Sequence, residues 1–137
     1  EPLIFLLPKD HRLAQYERIP VKALNGIDFI IPAAEQSQTL HQTILEFAKA
    51  HNVEFNIVQK ADNILFNINA IGLGLGCTIL PGYVAPLSMN NTVIRPLEVE
   101  LPYLDLYVNY GKNNSSLAVT KFLELLTRVF YLDINRE

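Results

Sequence analysis

The 137-residue sequence predicts an α/β fold: a largely parallel sheet with helices on both faces. Three observations lead there. Short continuous apolar runs, Leu3–Leu7 and Phe29–Ile31 among them, stop at prolines, Pro8 and Pro32, as strands buried on both faces do. Between such runs lie segments whose apolar residues recur at helical spacing. The order strand, helix, strand, helix, strand closes most simply into parallel pairing through helical crossovers.

Taken in order, LIFLL (Leu3–Leu7) is the first strand, and Pro20–Leu24 is a short segment before the Asn25-Gly26 turn signal. FII (Phe29–Ile31) is the second strand, followed by the polar loop AAEQSQ. A helix is expected from about Leu40 to Ala50, with Leu40, Ile44, Phe47 and Ala48 as its apolar stripe. Thr39, with Gln42 three residues on, reads as its capping box. Val53, Phe55 and Ile57 alternate with Glu54 and Asn56, which predicts a strand over Val53–Val58. Asp62 is expected to cap a helix over Asn63–Ile71, and Gly72 to end it. Cys77–Leu80 is a third buried strand, Tyr83–Leu87 a helical turn, and Val93–Leu97 a short extended piece. Leu104, Leu106, Val108 and Tyr110 alternate with polar or less buried positions, predicting a longer strand. Ala118, Phe122, Leu125, Leu126 and Val129 mark an amphipathic last helix opening at Ser115/Ser116.

Bulk composition narrows the function. One domain with a sizeable core is expected from this length, and 50% apolar against 18% charged residues favours folding over disorder. Eleven basic and fourteen acidic residues leave a net charge of −3 without a Lys/Arg cluster. Such a chain has little counterion-release energy to offer nucleic acid. The lone cysteine, Cys77, cannot form an internal disulfide, which fits a reducing, cytoplasmic setting. No apolar run is long enough for a membrane span, the nearest, Ala70–Leu87, being interrupted by Gly and Pro. The chain opens inside a strand-like run, which suggests a piece of a longer polypeptide.

The stretch AIGLGLGCTILPGY (Ala70–Tyr83) carries glycines at 72, 74 and 76. A dinucleotide fingerprint needs G-x-G-x-x-G after a strand and opening a helix. Here Cys77 takes the place of the last glycine, and the order is inverted, helix before strand. A Walker A loop is excluded because no Gly-Lys-Ser/Thr triplet occurs. Gly72 is therefore read as a helix terminator, the other two glycines as permitting close packing. Neither a cofactor nor a metal is expected: His41 and His51 lie about 15 Å apart along one helix, and no Cys/His spacing matches zinc. A Cys77–His41 pair is the best nucleophile the residues offer, and a buried free thiol is more often a small core residue.

In open parallel sheets, ligands sit outside the carboxyl ends of the strands. Three loops leave those ends, Pro32–Gln38, Gln59–Asp62 and Pro81–Gly82, two of them leading into helix N-termini that favour an anion or polar head group. Ser37, Gln38, Thr39 and Asn63 are the uncharged hydrogen-bonding residues there, although Thr39 and Asp62 also read as ordinary caps. Glu35, unless it faces away, favours a neutral, zwitterionic or cationic ligand.

Four stretches resemble the LysR-type transcriptional regulators. PKDHRLA is similar to their P-x-x-H-P-L-A, with Arg12 in place of Pro, and IPVKALNGIDFIIPA follows it as in the family. INAIGLGLGCTILPGYVA resembles their Gly-rich segment, and VIRPLE with LDLYVNYGKNNSSLAVTKFLELL resembles their closing one. The departure at Glu35 falls in a loop usually built of Gly and Ser. The resemblance implies a small-molecule effector-sensing portion with a periplasmic-binding-protein-like lobe over Lys9–Leu101. It implies crossover strands at Leu3–Pro8 and Leu104–Gly111, and a last helix (within 112–137) belonging to the other lobe. Ala33, Ala34, Glu35, Ser37 and Thr39 inherit the effector contacts. It also implies a cytoplasmic homo-oligomer that is not an enzyme, makes no membrane contact, and touches DNA only through an N-terminal domain upstream of Glu1. With its partner lobe missing, the helix over Leu117–Phe130 is expected to associate with another copy, or strand edges to pair. The rivals are one lobe of a solute-binding protein for transport and a small α/β enzyme using Cys77.

Overall fold

A computed structural model describes residues 1–88, 90–111 and 116–130. The chain divides into two compact units, Glu1–Asp105 and Leu106–Glu137. In the first, β1 (Leu3–Pro8) is followed by two 3-10 turns, Arg12–Gln15 and Val21–Leu24. Then come β2 (Asp28–Pro32), α1 (Gln38–Ala50), β3 (Asn56–Ala61), α2 (Ile64–Gly72) and β4 (Thr78–Pro81). A 3-10 segment, Gly82–Leu87, leads to β5 (Thr92–Ile94). The second unit contains α3 (Leu117–Phe130).

The α/β class holds, but the largely parallel sheet does not. β4, β1 and β5 form one sheet in which β1 is antiparallel to both neighbours, and β2 pairs with β3 in parallel. A single parallel bridge, Phe29 to Cys77, links the two sheets. There Ile30 N–H donates to Cys77 O at 2.9 Å, and Cys77 N–H to Asp28 O at 2.8 Å. The reason lies in the connections. Crossover through α1 makes β2 and β3 parallel, and crossover through α2 brings β4 in alongside β2 with the same sense. β1 reaches β2 through 3-10 turns, and no helix imposes a direction on it.

Alternation along the strands sends side chains to two cores. Leu3, Phe5, Leu7, Phe29, Ile31 and Ile79 face one, where Leu40, Ile44 and Phe47 of α1 cover them. Leu6, Ile30 and Leu80 face the other, covered by Ile68 and Ile71 of α2 and by Val84. Helices thus lie on both faces. Gly76 sits where the sheets meet: a Cβ there would lie 2.8 Å from Asp28 O.

Several element ends differ from expectation. The cap of α1 is Ser37, whose Oγ accepts from Leu40 N–H at 3.4 Å, and Thr39 falls inside the first turn. Gln42 donates to Glu46 instead of closing a capping box. Asn63, not Asp62, caps α2, its Oδ1 accepting from Phe66 N–H at 2.7 Å. Gly72 stays helical. The left-handed residue is Gly74, with φ of 80°, and Leu75 N–H to Ala70 O with Gly74 N–H to Ile71 O completes a Schellman ending. α1 ends in the same way around Asn52, at φ of 53°.

β3 begins three residues later than its alternation suggested. Val53 is buried in the turn after α1, and Phe55 stacks on Phe29 with centroids 4.1 Å apart. Ile57 and Val58 of β3 are exposed, so the apolar pattern reported the turn, not the register of this edge strand. Residues 104–111 form no strand. β4 pairs with Leu3–Leu6 and β5 with Leu6–Pro8, and this stretch meets the chain before β1, where Glu1 and Leu104 exchange backbone bonds at 2.8 Å. Tyr103, Tyr107 and Tyr110 are exposed. Of the expected start of α3, Ser116 O accepts from Thr120 N–H at 3.1 Å, and Ser115 lies outside the described residues.

Candidate functional site

β2, β3 and β4 point the same way, so their carboxyl ends form one edge of the first unit. Ala33 N–H donates to Ala61 O at 2.7 Å, tying the loop after β2 to the end of β3. Gln36 and Ser37 N–H groups both return to Ala33 O, at 3.1 and 3.2 Å, and curl Ala33–Ser37 into a turn that aims α1 away from the edge. Ala33 is buried and Ala34 half-buried, while Glu35, Gln38 and Thr39 are exposed. Ser37 is half-buried because its hydroxyl caps α1. Asn63, exposed, opens α2 two residues past Ala61. All the residues singled out from sequence therefore share one edge. Gln59–Ala61, expected as loop, belongs to β3, and the loop proper is Asp62–Asn63.

The rim has members that sequence reasoning missed. His41 Nδ1–H donates to Pro32 O at 2.8 Å, fixing the first turn of α1 against the end of β2. Because β1 runs the other way, its start also reaches this edge. Gly82 N–H donates to Pro2 O at 2.7 Å, and Tyr83 N–H to Glu1 Oε1 at 2.8 Å. Only the antiparallel direction of β1 places Glu1 there, and no residue pattern signals it. Asn67, one turn beyond Asn63 on α2, is buried, and its Oδ1 has no partner among the described residues. Such an orphan acceptor is costly unless a water or ligand atom meets it.

Two open clefts lie at the opposite edge. One, of about 650 Å³, is lined by Asn25, Lys49, Glu54 and Asn56 among others. The second, of about 490 Å³, lies between the chain after β1 and β5, with Lys9, His11, Thr92 and Arg95 on its walls.

Cys77 does not meet His41. Its Sγ lies 3.9 Å from His11 Nε2. Leu13 N–H donates to His11 Nδ1 at 3.2 Å, so in the neutral ring the proton is on Nε2, facing the sulfur. Burial, reinforced by the Asp28 carboxylate, pushes the Cys77 thiol up to about 12, Arg12 opposing. Burial and Arg12 hold His11 below its usual value, with Asp28 opposing. A protonated thiol beside an imidazole that already holds its proton is no nucleophile–base pair. Among the described residues, no group of three or more His, Cys, Asp or Glu side chains is placed to hold a metal, and no helix is long and apolar enough to cross a membrane.

A family model for the LysR substrate binding domain matches residues 1–130. The chain belongs to the LysR substrate-binding domain family. This LysR domain is 32% identical over 126 residues to the Hca operon transcriptional activator HcaR of Escherichia coli (strain K12), covering 92% of this chain and 43% of that protein. It is 27% identical over 130 residues to the HTH-type transcriptional regulator TtuA of Agrobacterium vitis, again with 92% and 43% covered. The chain thus spans less than half the length of these curated relatives. Among solved structures, the Synechocystis PCC6803 CcmR regulatory domain in complex with 2-PG matches with a TM-score of 0.77 at 21% identity, over 93% of this chain and 62% of that one. The effector binding domain of QuiR in complex with shikimate matches with 0.71 at 16%, over 94% and 61%. At those identities the likeness establishes the LysR-domain fold.

Proposed function

We propose that this LysR domain senses a small polar metabolite in a bacterial transcriptional regulator, as a cytoplasmic binding module and not an enzyme. The ligand sits on the rim formed by Ala33, Ala34, Glu35, Ser37, Gln38, Thr39 and Asn63. One observation carries the reading: the Ala33–Ala61 hydrogen bond gathers the N-termini of α1 and α2 onto one edge. The first N–H groups of a helix have no intrahelical acceptor, so two sets of donors face one place. The CcmR regulatory domain in complex with 2-PG and the QuiR effector binding domain in complex with shikimate support the same role.

In this reading Lys9–Leu101 is one lobe, Leu3–Pro8 and Leu104–Gly111 cross to the other, and the last helix belongs to that other lobe. The regulator works as a homo-oligomer, with DNA contacted by a part of the protein outside these residues. Ligand binding changes how the lobes close and so the geometry of the oligomer.

Thermal-shift screening of the full regulator against metabolites tests this, since a ligand bound only to the native state raises its apparent stability. A hit is expected to lose most of its shift in a Gln38→Ala/Thr39→Ala double variant, because both side chains are exposed and neither caps the helix. A shift unchanged by the double variant counts against the rim.

A further inference from the structure

We propose that the cleft between Lys9–Gln15 and β5 is a second small-molecule site, taking a ligand with a carboxylate or phosphate group held by Arg95 and Lys9. The cleft lies at the edge away from the rim, so it stands or falls independently of the effector reading. Arg95 leaves the end of β5 half-buried, with its backbone N–H donating to Phe5 O at 3.2 Å. Its Nε donates to Ala14 O at 3.0 Å and its Nη1 to Ile94 O at 3.2 Å. Two carbonyls therefore hold the guanidinium between the 3-10 turn after β1 and the strand itself. No carboxylate among the described residues pairs with it. A guanidinium has five donors, so donors remain after these two bonds, and none is a buried orphan; they reach solvent where the side chain lines the cleft.

A half-buried cation with no counterion among the described residues, immobilised beforehand and presenting spare donors, suits an oxyanion. The planar fork matches carboxylate and phosphate oxygens, and prior ordering lowers the entropic cost of binding. Lys9, exposed on the wall across from β5, adds a second positive charge, and the polar side chains of Gln15 and Thr92 line the remainder. Asp10, also on the wall, opposes an anion, leaving two cations against one carboxylate. About 490 Å³ is within the range of small-ligand sites.

The test is a two-dimensional amide NMR titration of the protein with inorganic phosphate, against sodium chloride at matched ionic strength. Saturable shifts centred on Lys9, Ala14, Gln15 and Arg95 are expected with phosphate only. Arg95→Gln abolishes saturation, and Lys9→Gln weakens affinity about fivefold, the scale of one exposed ion pair. Asp10→Asn tightens binding, an effect that damage to the fold cannot imitate. Shifts reproduced by chloride, shifts confined to the Ser37–Thr39 rim, or saturable binding indifferent to Lys9→Gln and Asp10→Asn overturn the proposal. Should Arg95→Gln fail to fold, the other two variants decide.

Discussion

A thiol pushed up to about 12 carries almost no thiolate at neutral pH, and its neighbour His11 has no free basic nitrogen to help. Cys77 should therefore alkylate in the native protein on the order of a thousandfold more slowly than an unperturbed cysteine, measured with iodoacetamide below and within denaturant. A native rate close to that of a free thiol would contradict the burial described here. His11 has the opposite sign of interest. Its pKa is lower in the folded protein than the ordinary 6.5, so below about pH 6.5 the unfolded chain binds the proton more readily than the folded one. Stability is then full above that pH and declines as pH falls toward the folded value. His11→Asn, which retains an acceptor for Leu13 N–H, should remove this part of the slope in urea melts between pH 7 and 5.5. Equal slopes in the two proteins would show that His11 is not its source.

Helix termini decide whether the residues on the rim are structural or spare. Ser37→Ala and Asn63→Ala should each cost about 1 kcal/mol, the usual worth of an N-cap, while Thr39→Ala should stay within about 0.5 kcal/mol as an exposed substitution. Chemical denaturation measures all three, and a Thr39→Ala cost equal to that of Ser37→Ala would restore Thr39 as the cap. In the glycine segment, Gly76→Ala should cost about 2 kcal/mol, because its Cβ meets backbone at 2.8 Å that cannot withdraw. Gly74→Ala should cost about 1 kcal/mol for its left-handed φ alone, since nothing lies within 4 Å of a Cβ there. The existence of α1 and α2 was legible in Leu40, Ile44, Phe47 and Ile64, Ile68, Ile71, which do face the cores. Their caps were not, because Ser37, Thr39, Asp62 and Asn63 are all competent cap residues and backbone curvature chooses among them. The Ala33–Ser37 turn makes that choice for α1.

At the scale of the whole molecule, α3 exposes Leu117, Phe122, Leu125 and Val129, and an apolar stripe of that kind favours association. Sedimentation velocity over a concentration series should show self-association, reduced by Phe122→Glu; a clean monomer at high concentration would remove the argument for pairing through this helix. The amino-acid sequence by itself determined the α/β class, most of the buried residues, and the convergence of the loops after Phe29–Ile31 and before Asn63. Those follow from apolar spacing and helical crossovers, which are local. Direction and pairing were another matter. That β1 opposes both neighbours, that Glu1 and Tyr83 join the rim, that Cys77 meets His11 and not His41, and that Arg95 is pinned to the Ala14 carbonyl all depend on partners far apart along the chain. Hydrogen bonds between such segments are chosen by how the packed elements fit, and that fit leaves no periodic mark on the residues.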